Sequence, residues 1–159
     1  MKVIIGIGNP EPEYNETRHN VGKMVVDLLG ELEGFSVVKS TGFMNETGAF
    51  VSKYLRKHNL SPQDIVIVHD DWAFDVGKFK LQINRNHNNH NGVRSIMGAL
   101  GTKTFWRLRV GIGMNSSYAE PADYVLSKFS REEILAIREQ IPAMQDRLKS
   151  ILSQSIVKI

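Results

Sequence analysis

The sequence has 159 residues, 42% of them hydrophobic and 23% charged, with a net charge of +3 and no cysteine. That balance suits a globular protein, and one domain over residues 1–159 is expected. It excludes disulfides, thiol nucleophiles and cysteine-held metals, and no run of eighteen apolar residues offers a membrane span. The opening Met1-Lys2-Val3-Ile4-Ile5-Gly6 lacks the pattern of a signal peptide, so a cytoplasmic protein is expected.

In chain order, residues 2–8 read as a short buried strand, a β-branched run closed by glycine and then Asn9-Pro10. Thr17 is the expected N-cap of a helix in which Val21, Met24, Val25, Leu28, Leu29 and Leu32 recur at three- and four-residue steps. Glu33-Gly34 should stop it. Residues 36–41 leave room for a short strand only. A second helix is expected from Thr47, with Phe50, Val51, Tyr54 and Leu55 inward and Asn59 near its end. Ile65-Val66-Ile67-Val68 is an apolar strand ending in His69-Asp70-Asp71. Residues 78–83 alternate as a half-buried strand does. A helix over residues 91–100 is ended by Gly101, and residues 106–111 alternate again with Arg107 and Arg109 on one face. Ser130-Arg131-Glu132-Glu133 is a capping box opening an amphipathic helix that Pro142 should kink or interrupt. Strands and helices interleave. The expected class is α/β: a mixed, largely parallel twisted sheet flanked by helices on both faces.

Several residues could carry chemistry. Gly6-Ile7-Gly8 follows a strand but lacks the third glycine of a dinucleotide fingerprint. The carboxyl end of a first strand is nevertheless a place where α/β sheets bind ligands, and Asn9 there can offer an amide. His19 in Thr17-Arg18-His19-Asn20 can act as a base near neutral pH, although its position alone favours an ordinary helix-start residue. Asp70 closes a strand, where a carboxylate can hold an imidazole in one tautomer or simply be solvated. Asn45 in Phe43-Met44-Asn45 precedes a helix and can equally be a cap. His87 and His90, with Asp70, offer metal-ligand chemistry, but on a loop their spacing fixes no shared face. Asparagines in that run also suit backbone positions with positive φ.

These fragments stand in one order. Gly-Ile-Gly-Asn-Pro (6–10), Glu13-Tyr14, Thr-Arg-His-Asn (17–20), Phe-Met-Asn (43–45), His-Asp-Asp (69–71), His-Asn-Gly (90–92) and Arg-Leu-Arg-Val-Gly-Ile-Gly (107–113) together resemble bacterial peptidyl-tRNA hydrolase. Residues 124–129 are similar to that family's lid region. The resemblance implies hydrolysis of the ester joining a peptide to the 3′ end of tRNA, without metal or organic cofactor. It implies His19 as the base that takes a proton from water, Asp70 as the group that orients it, and Asn45 as a carbonyl and oxyanion ligand. Asn9 and Asn91 would hold the 3′-terminal adenosine and nearby peptide, with Tyr14 and His90 at the same site. Lys78, Lys80 and Arg109 match a trio that grips the 5′-phosphate of the acceptor stem. Peptidyl-tRNA is thus the implied partner, and a monomer is expected. From the residues alone, these cations could be ordinary solvated strand faces; Phe79, Leu81, Leu108 and Val110 alternate with them and leave the cations pointing away from the core.

The pattern is also broken in places. The family carries a β-hairpin of roughly twenty extra residues before Phe43, where only residues 34–42 remain here. Val37-Val38 should therefore form at most one brief strand, at an edge that invites pairing. Glu11 replaces a glycine, Asn88-Asn89 replace two more, and Trp72-Ala73-Phe74 stand where Leu-Asp-Leu is usual. Two rivals remain: a non-catalytic RNA-binding protein on the same fold, and a metal-dependent hydrolase using His87, His90 and Asp70. The hydrolase reading requires the His19 ring within hydrogen-bond reach of Asp70.

Overall fold

The computed structural model describes residues 1–83, 90–113 and 121–153. Five strands form one sheet: β1 (Lys2–Gly6), β2 (Phe35–Lys39), β3 (Ile65–Asp71), β4 (Phe79–Ile83) and β5 (Trp106–Gly111). Their spatial order is β2-β1-β3-β5-β4. The pairs β1–β2, β1–β3 and β3–β5 are parallel, and only β4 runs antiparallel, against β5. The mixed, largely parallel sheet is the one expected.

Alternating side chains split the core in two. Ile4, Val66, Val68, Leu108 and Val110 belong to one buried cluster, which Val25 of α1 (Val21–Leu29) joins. It also takes Ile137 of α5 (Arg131–Glu139) and Leu148 of α6 (Ile141–Ser150). Val3, Ile5, Ile65 and Ile67 face the other cluster, with Val51 and Leu55 of α2 (Thr47–His58) and Val93 and Ile96 of α3 (Asn91–Leu100). A short helix α4 (Pro121–Val125) completes the described α-helices. Pro142 stands in the first turn of α6, where its missing N–H costs nothing, and the expected interruption is the break between α5 and α6. Among the described residues no helix is long and apolar enough to cross a membrane.

Three local expectations change. The first helix ends at Leu29 because Gly30 takes φ +61, so Leu32 is buried from a loop and not from the helix. Thr17 precedes a 3-10 turn over Arg18–Asn20, and its hydroxyl donates to the Tyr14 carbonyl without capping a helix. Arg107 does not point away from the core: it is 3% exposed, inside the sheet face beneath the second cluster's side. Alternation identified two faces of β5, but both are covered at that residue. The shortened segment holds a single five-residue strand, β2, at the sheet margin.

Candidate active site

Close packing of α1 on the sheet sets the site. A Cβ at Gly22 would collide with the carbonyl oxygen of Val68, so only glycine lets the helix start approach β3 this closely. The preceding 3-10 turn thereby lays His19 against the end of β3. His19 Nδ1 donates to Asp70 Oδ2 at 2.8 Å. His90, which immediately precedes α3, donates from Nε2 to the other carboxylate oxygen at 2.6 Å.

Hydrogen bonds fix each tautomer. His90 Nδ1 accepts the Val93 backbone N–H at 3.2 Å, so its proton sits on Nε2, facing Asp70. His69 is fully buried; its Nε2 faces the Arg107 guanidinium, which can only donate, at 3.2 Å. Its Nδ1 therefore carries the proton and donates to the Asp70 carbonyl at 2.8 Å. Donation from His19 Nδ1 to Asp70 leaves Nε2 of His19 with the lone pair.

Electrostatics follow from this arrangement. Burial alone would raise the Asp70 pKa, but His90 and His19 outweigh it and hold the carboxyl well below the usual carboxylate range. Burial opposes charging of His19, yet the Asp70 charge and hydrogen bond win and raise its pKa above the ordinary value. Burial, His90 and Arg107 together push His69 well down, so it stays neutral. Arg107 is itself pushed down to about 10, chiefly by burial and then by Arg109.

Asn9 is pinned from behind. The Asn9 backbone N–H donates to Asn20 Oδ1 at 2.8 Å, while Asn20 Nδ2 and Lys23 Nζ both donate to its carbonyl. Asn9 Oδ1 accepts the Met44 N–H at 2.8 Å, which directs its amide NH2 elsewhere. Asn9, Asn45 and Asn91 line one groove of about 660 Å³ with Phe43, Met44 and Glu46. Tyr14 meets the exposed Phe43 edge-on, ring centroids 6.2 Å apart. Gly92 belongs here for a steric reason, since its Cβ would press on Met44 Sδ and Ile7 Cδ1.

The expected residues thus fall into three groups. His19, Asp70 and His90 make one cluster and the three asparagines line one groove, whereas Lys78, Lys80 and Arg109 lie toward the β4 margin. Lys78 and Lys80 are exposed, and Lys80 opposes Arg109 across the β4–β5 ladder. Arg109 donates to Asp71 at 2.7 Å and to Gln82 at 3.3 Å, and stacks over Phe74. Its guanidinium is held in place by these partners, whereas Lys78 and Lys80 make no ion pair among the described residues.

Both ring nitrogens of His90 are engaged within the protein, so contact with a substrate would fall to the ring's edge and face. His19, Asp70 and His90 present ligand atoms within 4.8 Å of one another, and these three are the described residues able to hold a cation. His87 lies outside the described residues. Sequence reasoning missed the supporting roles of Asn20, Lys23, His69 and Arg107. All but Lys23 stood in quoted motifs, but nothing local showed that their side chains turn inward.

The family profile described as peptidyl-tRNA hydrolase matches residues 3–41 and 29–159. The chain belongs to the peptidyl-tRNA hydrolase family. The peptidyl-tRNA hydrolase of Geotalea uraniireducens is 35% identical, covering 99% of this chain and 93% of its own. That of Mycobacterium leprae is 38% identical, covering 92% and 82%. The crystal structure of the Acinetobacter baumannii peptidyl-tRNA hydrolase superposes with a TM-score of 0.84 at 28% identity, over 97% of this chain and 89% of that one. The Geotalea alignment runs over 179 positions, more than this member's 159 residues, so gaps must open in it. The two profile matches overlap over residues 29–41, which takes in most of residues 34–42, the segment already identified as shortened for a peptidyl-tRNA hydrolase.

Arg18, beside His19, is fastened by residues far along the chain. It makes two hydrogen bonds to Glu133, at 2.7 and 3.0 Å, and one to Ser127 Oγ at 3.0 Å. Its guanidinium also lies 4.6 Å from the Tyr124 ring centroid and 5.0 Å from that of Phe129. The turn that carries His19 is therefore held from β3 on one side and from residues 124–133 on the other.

Proposed function

We propose that this chain hydrolyses the ester between peptide and tRNA in peptidyl-tRNA, returning tRNA released from stalled ribosomes, with His19 as general base. The observation that carries the reading is the 2.8 Å His19–Asp70 hydrogen bond in a chain of this family. Water gives a proton to His19 Nε2 as its oxygen attacks the ester carbonyl, and Asp70 stabilises the imidazolium that forms. The carbonyl oxygen gains negative charge, which the Asn45 amide is suited to meet. Collapse of the tetrahedral intermediate breaks the bond to the ribose oxygen, and the imidazolium returns the proton to it. A free peptide and a free tRNA result. Asn91 and Tyr14 line or border the groove in which the 3′-adenosine and its peptide would lie.

The exposed Lys78 and Lys80, with Arg109 beside them, supply the phosphate grip on acceptor-stem RNA. A non-catalytic RNA-binding role would leave the His19–Asp70 pair without a use. The decisive assay is release of free tRNA from a purified peptidyl-tRNA, with and without chelator. His19→Ala should lower kcat by about 10²- to 10⁴-fold while tRNA binding survives. Wild-type turnover in that variant would remove the mechanism, and inactivation by chelator would favour a metal hydrolase.

A further inference from the structure

The sheet margin left by the shortened segment has the shape of a receptor for an extended chain. Among the described residues β2 pairs with β1 alone. Ser40 N–H donates to Gly6 O, so by the two-residue alternation of a parallel strand Ser36 and Val38 also face β1. The backbone N–H and C=O groups of Val37 and Lys39 then point outward from the sheet. A hollow lies on each side of this edge. One, about 840 Å³, is bounded by the end of α1 and the following loop. The other, about 580 Å³, is bounded by Phe50, Lys53 and Tyr54 of α2. Val38 and Lys39 line both. An added strand sends alternate side chains to opposite faces, one set into each hollow.

We infer that this edge binds the peptidyl part of the substrate as a sixth strand, parallel to β2. The inference rests on the hydrolase reading above. Continuity identifies the occupant: Glu46 lines both the asparagine groove and the α2-side hollow, so the groove runs on toward β2. The flanks agree with it. The phosphate-binding lysines lie toward β4, at the opposite margin of the sheet, which leaves the β2 side for the peptide. Direction follows as well. The peptide's C-terminal residue is held at the ester, at the carboxyl end of the strands, so the chain leading up to it runs the same way as β2. Backbone pairing suits this enzyme because it holds any peptide sequence alike, with the hollows adding preference among side chains.

The test compares kcat/KM for an N-acetyl-aminoacyl-tRNA with that for a hexapeptidyl-tRNA on the same tRNA. Wild type should favour the longer substrate by roughly tenfold, the order expected of two net backbone hydrogen bonds. Val37→Pro removes an outward N–H that β1 does not use, at an edge position where proline is tolerated. Ala49→Trp, from an exposed site on α2, fills the second hollow. In either variant the ratio of long to short substrate should fall toward one. A wild-type ratio near one, or a ratio that both variants leave intact, overturns the inference. So does a wild-type chain that dimerises through this edge, or a length preference that appears only after deletion of residues 154–159, since a second copy or the chain's own end would then fill it. Failure to hydrolyse either substrate would instead refute the hydrolase reading, and the strand inference with it.

Discussion

Two imidazoles share the Asp70 carboxylate, and this arrangement sets the expected pH behaviour. A base must be neutral to accept a proton, so with His19 in that role activity should rise as pH rises through its folded pKa. Because Asp70 raises that pKa, the limb should lie above 6.5, the ordinary histidine value. In Asp70→Asn the attraction is gone and burial remains, so the limb should move to lower pH. The plateau should also fall, by up to about 10⁴-fold, because an amide favours the wrong tautomer. A pH–rate profile of kcat/KM reads both effects. An unmoved limb would mean that some group other than His19 is titrating. His90 separates a second pair of roles: His90→Asn keeps a good N-cap for α3 but loses the bond to Asp70, so kcat should fall with little change in Tm. Equal damage to stability and turnover would show that the cap, not the carboxylate, is what His90 serves.

At the scale of elements, α1 and β3 act as one part because of Gly22. Gly22→Ala should cost about 1–3 kcal/mol as overpacking, read as a lower midpoint in denaturant. Turnover measured under conditions where the variant is folded should fall further than stability implies, since the same displacement separates His19 from Asp70. A variant with full turnover would mean that the turn before α1 is held by the Arg18–Glu133 clamp alone. Much of this level was legible in the sequence. The bounds of α3 and β5 came from a glycine stop and from strict alternation, both local signals. The end of α1 did not, because Leu32 continues the helical spacing while sitting in a loop that folds back onto the same core. The burial of Arg107 was equally hidden. Alternation separates the faces of a strand but cannot say which of them a distant helix will cover.

The molecule as a whole carries its candidate chemistry in the middle of the sheet and its candidate grips at the margins. The His19–Asp70 pairing was legible only through motif order, since nothing local joins residues 19, 70 and 90. The roles of Lys78 and Lys80 can be checked by replacing both with alanine. KM for full-length substrate should rise and its salt dependence flatten, while a short substrate lacking the 5′-phosphate is hydrolysed much as before. Equal losses on both substrates would place the lysines in folding or at the reacting centre. The strand order then bears on product inhibition. Neighbouring strands lie about 4.8 Å apart, so β2 and β4, four spacings from each other, are separated by roughly 19 Å. Spent tRNA and spent peptide would thus occupy separate halves of one platform, and neither needs to leave before the other. Each should inhibit alone, and a mixture should inhibit more than mutually exclusive ligands can; plots of reciprocal rate against one product at several concentrations of the other should intersect and not run parallel.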